Sequence, residues 1–252
     1  MVLLIDTRQQ DNKHSLKNRW FAENGIQTNR CTLVCGDYQI AGDGSVAIDS
    51  KADLLEVIND IQFKAMSKVA IGEAVRDICE KHKVASGHDR NIFHLIVDDD
   101  SGRYPESQIT EYCFTNKIPD EAMKGFLDLY LKRHGFFHRG LVRAKQYGVK
   151  LYILVEEDGI RSVRDVFRWT NPRLLILRNS DELIGFYRNG RPKFKKIQAY
   201  PKAMPGSTLA KAMLTMEKRY GCTFVFTDKA HAGEKIVELL VGDIASGENK
   251  HL

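Results

Sequence analysis

Short apolar runs recur along the chain and predict buried strands. Val2 to Ile5 is one such run, and Lys150 to Val155 is typical of a strand in a hydrophobic core. Further strands are predicted at Ile26 to Val34, Tyr38 to Ile40, Val46 to Ile48, Ile92 to Val97 and Thr223 to Thr227. The turn sequence Gly42-Asp43-Gly44 predicts that the strands Tyr38 to Ile40 and Val46 to Ile48 form a hairpin.

Segments with apolar residues at helical spacing lie between these strands. In Ser15 to Asn24 the residues Leu16, Trp20 and Phe21 fall on one helical face, and Asp53 to Ile61 has the same period. Other helices are predicted near 64–81 and 120–134, over Phe136 to Tyr147, over 162–169, from Ser207 or Thr208 to Arg219, and from His231 to Val241. The alternation of strands and helices predicts an α/β protein.

Length and composition narrow the function classes. The 252 residues correspond to one or two domains, and 43% hydrophobic with 28% charged residues is an ordinary globular composition. No stretch approaches the roughly 18 apolar residues of a membrane span, and the first residues lack the basic region of a signal peptide. The composition therefore argues against secretion and a membrane anchor. The net charge of +5 permits a nucleic-acid partner without proving one.

The five cysteines favour a reducing compartment. They are Cys31, Cys35, Cys79, Cys113 and Cys222. Their number is odd and their spacing is irregular, whereas a disulfide framework needs an even, clustered set and a zinc site needs CxxC pairs or nearby histidines. We expect reduced cysteines in the core of a cytoplasmic protein.

The candidate chemistry is concentrated in the first fifty residues. Asp6 ends the first predicted strand, Asp37 begins the hairpin, and Asp49 and Lys51 lie at its other end. Because side chains alternate along a strand, Asp49 and Lys51 share a face and Ser50 points away. Two carboxylates and the Ser50 backbone carbonyl are hard oxygen ligands suited to Mg²⁺, which lowers the pKa of a bound water. Lys51 would orient that water or stabilise the leaving charge.

On spacing alone, a solvated turn with three surface charges is the favoured interpretation. Two details favour the metal site. Asp37 lies between Gly36 and Tyr38 in an otherwise apolar segment. Asp49 directly follows a predicted core strand, where idle acids are uncommon.

Three segments, in this order, resemble the three motifs of the XPF-type nuclease family of the PD-(D/E)XK superfamily. They are Ile5 to Gln10, Val34 to Tyr38, and Ile48 to Lys51. The segment His138 to Ala144, followed by Lys150 to Glu156, is similar to the family's next helix and strand. Phe167 to Arg173, Pro205 to Met213 and Tyr220 to Phe226 resemble its compact phage and prophage members.

The resemblance implies a restriction-endonuclease-like mixed β-sheet flanked by helices. The nuclease domain would consist of residues 1–61 and 135–241, with a helical or mixed insertion at 62–134 and a flexible tail at 242–252. It implies catalytic roles for Asp37, Asp49, Lys51, Asp6 and Arg8, with Mg²⁺ (or Mn²⁺ in its place) held by Asp37, Asp49 and Ser50. Family relatives often dimerise through this domain. For Asp6 and Arg8, a structural ion pair near the strand end is an equally good interpretation.

The chain departs from the family motifs at three positions. The glutamate after the first arginine is Gln9, the middle arginine of the third motif is Ser50, and the acid four residues after Lys51 is replaced by Leu55. Catalysis is expected to survive, because the two metal-binding aspartates and the lysine remain. The departures also motivate an alternative, a catalytically weakened DNA-binding module on the same fold.

A basic stretch is the candidate DNA-binding surface. Its cations are Arg188, Arg191, Lys193, Lys195, Lys196 and Lys202, with no acid between them. Tyr187, Phe194 and Tyr200 are interleaved, which suits phosphate contacts together with stacking on unpaired bases. The alternative is a solvated loop.

Several other polar residues have two interpretations. Glu156 ends a predicted strand and either lies near the site or caps the next turn. His134 and His138 are spaced for a metal but lack a further ligand, and Asp98 to Asp100 lack the later glutamate of a calcium-binding loop. Ordinary polar histidines and an acidic turn are the favoured interpretations.

Together these features predict a Mg²⁺-dependent, structure-specific DNA endonuclease that hydrolyses phosphodiesters in branched or flapped DNA. The family resemblance suggests a role in phage or bacterial replication, recombination or repair, in the cytoplasm of a bacterium or a phage-infected cell. An exonuclease or a Holliday junction resolvase of the same broad fold is a further alternative, beside the weakened DNA-binding module.

Overall fold

A computed structural model describes residues 1–9, 14–62, 65–97 and 105–248. The strands are β1 (Val2–Asp6), β2 (Gln27–Cys31), β3 (Tyr38–Ile40), β4 (Asp43–Lys51), β5 (Lys150–Glu156), β6 (Leu177–Phe186), β7 (Pro192–Gln198) and β8 (Thr223–Thr227). The helices are α1 (Ser15–Glu23), α2 (Leu54–Ile61), α3 (Lys68–Lys81), α4 (His88–Val97), α5 (Pro105–Thr115), α6 (Asp120–Arg133), α7 (Phe136–Gln146), α8 (Val163–Val166), α9 (Gly206–Tyr220) and α10 (Ala232–Glu248). Along these ranges, every helix is too short or too polar to cross a lipid bilayer.

Six strands form one mixed sheet in the order β2-β1-β3-β4-β5-β8. Strand β3 runs antiparallel to both β1 and β4, whereas β4, β5 and β8 run parallel to one another. Strands β1, β4 and β5 therefore point the same way, and their carboxyl ends meet at one edge of the sheet. The prediction of an α/β protein with a mixed sheet flanked by helices is confirmed at this level.

Each face of the sheet is covered by helices. Ala47 and Val155 belong to a core shared with α2, α7 and α9. Their neighbours in the chain, Ile48 and Leu154, belong to a second core shared with α1 and α10. This alternation follows from the two-residue period of a strand, and it explains why β4 and β5 are apolar on both faces.

The segment between α2 and α7 forms a helical unit with a core of its own. Helices α3 to α6 pack mainly against one another. Buried residues from all four helices, such as Ile71, Ile96, Ile109 and Phe126, make up that core. The backbone N–H of Met66, which precedes α3, donates to the carbonyl of Lys132 in the last turn of α6 at 3.1 Å. The two ends of the unit therefore lie together.

Strands β6 and β7 form a separate antiparallel hairpin, connected by residues 187–191. At its base, the side-chain amide of Gln198 donates to the Leu174 carbonyl (2.6 Å). The Ala199 backbone N–H donates to the Ile176 carbonyl (2.8 Å). Most of its residues are exposed, because both strands contact chiefly each other.

Several sequence predictions are wrong in detail. The strand predicted at Ile92 to Val97 is the second half of α4, in which Ile92, Ile96 and Val97 turn toward the helical core. Strand β2 ends at Cys31 rather than Val34, because the Leu33 N–H is bonded to the Asp6 carboxylate instead of a strand. The helix predicted over 162–169 is limited to Val163–Val166.

Other differences concern ends and faces. Helix α10 continues through Glu248, so the predicted tail at 242–252 begins inside a helix. In α1 the buried residues are Lys17 and Phe21, whereas Leu16 is 55% exposed. Strand β6 was not predicted. The acidic turn at Asp98 to Asp100 lies outside the described residues.

Candidate active site

The carboxyl ends of three parallel-running strands bring the candidate residues together. Asp6 ends β1, Asp49 to Lys51 end β4, and Glu156 ends β5. Asp37 immediately precedes β3, which starts at the same edge because it runs in the opposite direction. Binding sites of open α/β sheets commonly form at this edge.

All of these residues except Glu156 line one cavity of about 270 Å³. Among the lining residues are all six catalytic and metal-binding candidates from the sequence: Asp6, Arg8, Asp37, Asp49, Ser50 and Lys51. The cavity also contains residues that the sequence did not indicate as part of the site, namely Gln9, His14, Lys17, Glu56, Asp60 and Phe137.

Gly36 allows the backbone to place Asp37 in this cavity. Its φ of 71° is left-handed, and a Cβ at this position would lie 2.8 Å from the Ile48 carbonyl oxygen. The next residue, Asp37, donates its N–H to that same oxygen at 2.6 Å. Only glycine accommodates both the backbone angle and the close approach.

The Asp37 carboxylate is fixed from the neighbouring strand. Its Oδ2 accepts hydrogen bonds from the Ser50 backbone N–H (2.8 Å) and from the Ser50 hydroxyl (3.1 Å). Ser50 therefore orients Asp37 through its own backbone and side chain, while Asp49 and Lys51 occupy the alternate positions of β4.

Lys51 is held by two carboxylates and an aromatic ring. Its Nζ lies 2.8 Å from Asp49 Oδ1 and 2.9 Å from Asp60 Oδ2. The same Nζ lies 4.5 Å from the centre of the Phe137 ring. Asp60 comes from α2, nine residues after Lys51. A carboxylate therefore approaches the lysine although Leu55, and not an acid, stands four residues after it.

Burial changes the acidity of the two central aspartates. It raises the pKa of Asp37, and the Ser50 N–H and the Lys51 charge offset this only in part. Burial also raises the pKa of Asp49 to about 6, with Lys51 opposing and Asp37 adding to the rise. Two carboxylates that resist ionisation in this way favour a cation between them.

Lys51 shows the opposite balance. Burial lowers the pKa of its ammonium group, but Asp49 and Asp60 raise the pKa by more, and the net value lies above the ordinary one. Lys51 is therefore charged at neutral pH. It can donate hydrogen bonds and stabilise negative charge, but it cannot act as a general base.

Asp6 and Arg8 form an ion pair at the end of β1, which was one of the two interpretations of these residues. Asp6 Oδ1 accepts from the Arg8 backbone N–H (2.8 Å) and from Nε (2.7 Å), while Oδ2 accepts from the Leu33 N–H (3.0 Å). Burial raises the pKa of Asp6, but these bonds outweigh it and the net pKa is lowered. The Arg8 side chain remains 38% exposed beside the cavity.

A second buried ion pair closes the cavity on the side of α1. Lys17 Nζ bonds to Glu156 Oε1, and both side chains are buried. Glu156 thus lies near the site, which was one of its two interpretations. A sequence signal for this pair existed, because Lys17 lies four residues before the fully buried Phe21 on α1.

Gln9 brings an unsatisfied polar group to the cavity. Both its Oε1 and its Nε2 are buried, and no hydrogen-bond partner is described for either. The side chain lies close enough to Asp37 to lower the pKa of that carboxyl. An unpaired amide at this depth is a ready donor or acceptor for a ligand.

The described residues contain no group of three or more His, Cys, Asp or Glu side chains that could hold a metal. His134 Nε2 lies 2.6 Å from the Ile96 carbonyl oxygen, and His138 Nδ1 lies 3.0 Å from the Tyr220 hydroxyl. These contacts agree with the interpretation of both residues as ordinary polar histidines. The five cysteines are free thiols, as expected.

Five of the six candidate DNA-binding cations lie outside the cavity on the β6–β7 hairpin, and the sixth, Lys202, follows the hairpin. Arg188 and Arg191 are in its connection, and Lys193, Lys195 and Lys196 are on β7. All five are exposed. Lys195 Nζ forms an ion pair with Glu182 of β6 at 2.8 Å, so the facing strand contributes an acid near the middle of the hairpin.

Comparison of the chain with family models, with curated proteins and with solved structures finds no match.

Proposed function

We propose that the protein is a metal-dependent endonuclease of the XPF type that cleaves branched or flapped DNA. The observation that carries the proposal is the cavity at the carboxyl end of the sheet, in which Asp37, Asp49 and a charged Lys51 lie together. Two carboxylates and one cation around a single space suit a phosphodiester and a divalent metal.

The donor set fits Mg²⁺. This ion is usually bound through one or two carboxylates, with waters and substrate phosphates completing its shell, so a third carboxylate is not required. Asp37 and Asp49 would hold it, with the Ser50 backbone carbonyl as a third donor and the unpaired Gln9 amide oxygen as a further one. The metal would supply an activated water and neutralise charge on the phosphate.

The remaining residues bind and orient the substrate. Lys51 donates hydrogen bonds to a phosphate oxygen and stabilises the negative charge that develops as the ester bond breaks. Asp60 and Asp49 hold its ammonium in place. The partly exposed Arg8, fixed by Asp6, offers a second cation at the rim. The exposed cations of the hairpin contact phosphates farther along the DNA.

A second candidate, a catalytically weakened DNA-binding module, is favoured by one observation. Lys51 is already paired with Asp49 and Asp60, so one of the two proposed metal ligands is already neutralised by a cation. A protein of this kind would bind branched DNA through the hairpin and cleave it slowly or not at all.

Cleavage of labelled DNA separates the two candidates. Flap, fork, Holliday junction and plain duplex substrates are incubated with Mg²⁺, Mn²⁺ or EDTA. The Lys51→Ala variant is run in parallel, with Lys235→Ala as the control because Lys235 is an ion-paired lysine on α10, outside the cavity. We expect metal-dependent cuts near the branch that Lys51→Ala abolishes and Lys235→Ala preserves.

The pattern of products tests the remaining alternatives. Internal labels that appear in products of defined length indicate an endonuclease, whereas mononucleotides released from an end indicate an exonuclease. Symmetric paired cuts restricted to four-way junctions indicate a resolvase. Binding of branched DNA without cleavage under any metal would contradict the proposal and support the weakened module.

A further inference from the structure

The β6–β7 hairpin is long and has little support from the rest of the protein. Its first strand has ten residues, which at about 3.3 Å each extends roughly 30 Å. Isolated two-stranded hairpins are only marginally stable in water. Large apolar side chains nevertheless stay exposed on it, which marks an interaction surface.

The tip of the hairpin combines two aromatic rings with positive charge. Phe186 is 67% exposed and Tyr187 is 51% exposed. Residues 186–193 include Arg188, Arg191 and Lys193 and no acid. Lys193 Nζ lies 5.9 Å from the centre of the Tyr187 ring, so cation and ring present one surface.

The turn holds these rings at the end of the hairpin. The Tyr187 N–H donates to the Arg191 carbonyl at 2.8 Å, and the Gly190 N–H donates to the Tyr187 carbonyl at 2.9 Å. Phe186 pairs with Pro192 across the strands. The aromatic side chains are therefore carried by a closed turn rather than by an open loop.

We infer that this tip binds the branch point of DNA, with Phe186 and Tyr187 stacking on bases exposed there and the three cations contacting the flanking phosphates. The inference rests on the proposed function and identifies the substrate feature that the protein would recognise. Stacking needs a base whose face is free. Bases inside a continuous duplex have no free face, whereas the last pair of a duplex arm and the first unpaired base of a flap do.

The base of the hairpin is linked to the element that lines the cavity. Arg173, four residues before β6, places Nη1 3.4 Å from Asn59 Oδ1 on α2. The next residue of α2, Asp60, contacts Lys51. The hairpin is roughly 30 Å long and starts beside α2. Its tip can therefore contact DNA about nine base pairs away from the point where the hairpin begins.

The test measures binding without cleavage. Fork and plain duplex DNA of equal length and charge carry a dye for anisotropy, and the fork also carries 2-aminopurine at the branch. The buffer contains EDTA. The Phe186→Ala/Tyr187→Ala variant is compared with Leu175→Ala/Leu177→Ala, which removes two equally exposed apolar side chains at the base of the hairpin. Both variants keep every cation.

We expect the tip variant to bind the fork at least tenfold more weakly, since loss of one stacking ring costs roughly 5- to 150-fold. Its affinity for duplex should change less than twofold, and the 2-aminopurine signal seen with wild type should disappear. The control variant should match wild type in all three measurements.

Four results would overturn the inference. They are absence of fork binding by wild type, fork binding unchanged in the tip variant, an equal loss on fork and duplex, and a loss of fork binding that is explained by dissociation of a dimer in the tip variant. Cleavage by wild type in Mg²⁺ is scored separately. Tip-dependent fork binding without any cleavage would contradict the nuclease and leave the recognition of branch points standing.

Discussion

Replacing Asp49 with asparagine is expected to stabilise the metal-free protein at neutral pH. Burial, with Asp37 adding and Lys51 opposing, raises the pKa of the Asp49 carboxyl from 3.8 to about 6. A carboxyl whose pKa is higher in the folded chain than in the unfolded chain lowers stability wherever it is ionised. At about 1.4 kcal/mol for each pH unit, the shift is worth about 3 kcal/mol.

This cost is fully present above pH 6 and disappears only as pH falls below about 3.8, where the carboxyl is protonated in both states. Asp49→Asn should therefore raise the free energy of unfolding by about 3 kcal/mol at pH 8 and by about half as much at pH 5. Urea denaturation in EDTA at the two pH values measures the difference. Asp43→Asn on the same strand is the control. It should lower the free energy of unfolding rather than raise it, because hydrogen bonds from Ser45 lower the pKa of Asp43.

Mg²⁺ should reverse the order of stability. A metal that binds only the folded wild type adds about 4.1 kcal/mol at a concentration one thousand times its dissociation constant, which exceeds the difference of about 3 kcal/mol. Asp49→Asn, which lacks one of the two carboxylates, should gain little. The reasoning fails if Asp49→Asn is less stable than wild type in EDTA at pH 8, or if the difference is the same at pH 5 and pH 8.

Three further predictions follow from the backbone and the buried pairs. Gly36→Ala should lower the free energy of unfolding in urea by about 2 kcal/mol or more, because it adds a clash with a backbone oxygen to a left-handed φ. Gly42→Ala, left-handed but in open space, should cost less, and equal losses would contradict the clash. Lys17→Met should cost about 3–5 kcal/mol because it leaves Glu156 buried and unpaired. The Lys17→Met/Glu156→Leu variant should recover part of that loss, and no recovery would refute the pairing. Replacement of residues 67–131 by a short Gly-Ser linker should leave a cooperatively unfolding protein with the helical circular dichroism reduced, whereas aggregation or loss of cooperativity would show that the sheet depends on the helical unit.

The sequence pattern predicted the sheet better than the helical unit. Strands such as β5 and β8 were predicted from continuous apolar runs, because such runs are typical of strands that are buried on both faces of a sheet. The run Ile92 to Val97 is equally apolar but is too short to distinguish a buried strand from part of a helix. Strand β6 has polar residues at five of its ten positions and is largely exposed, so it carries no burial pattern from which to predict it.

The site was predictable where its residues are close in the chain. Asp49, Ser50 and Lys51 are consecutive, and Asp37 directly precedes β3, the strand that forms a hairpin with β4. Partners that arrive from elsewhere were missed, because only the fold brings Lys17 of α1 and Asp60 of α2 into the same cavity. The spacing to Phe21 indicates that Lys17 lies on the buried face of α1 but does not identify its partner, and Asp60 has the sequence context of an ordinary charged residue on a helix.

The helical unit between α2 and α7 has a consequence for the order of folding. Strands β4 and β5 pair in parallel although they are separated by roughly a hundred residues, so their pairing must close a long loop. The Met66–Lys132 hydrogen bond joins the ends of the helical unit once that unit has folded. The effective loop then shrinks to about a third, and its closure becomes easier by about 1 kcal/mol. Local helical contacts also form faster than distant strand pairs. We therefore expect α3 to α6 to assemble first and to draw the two halves of the sheet together.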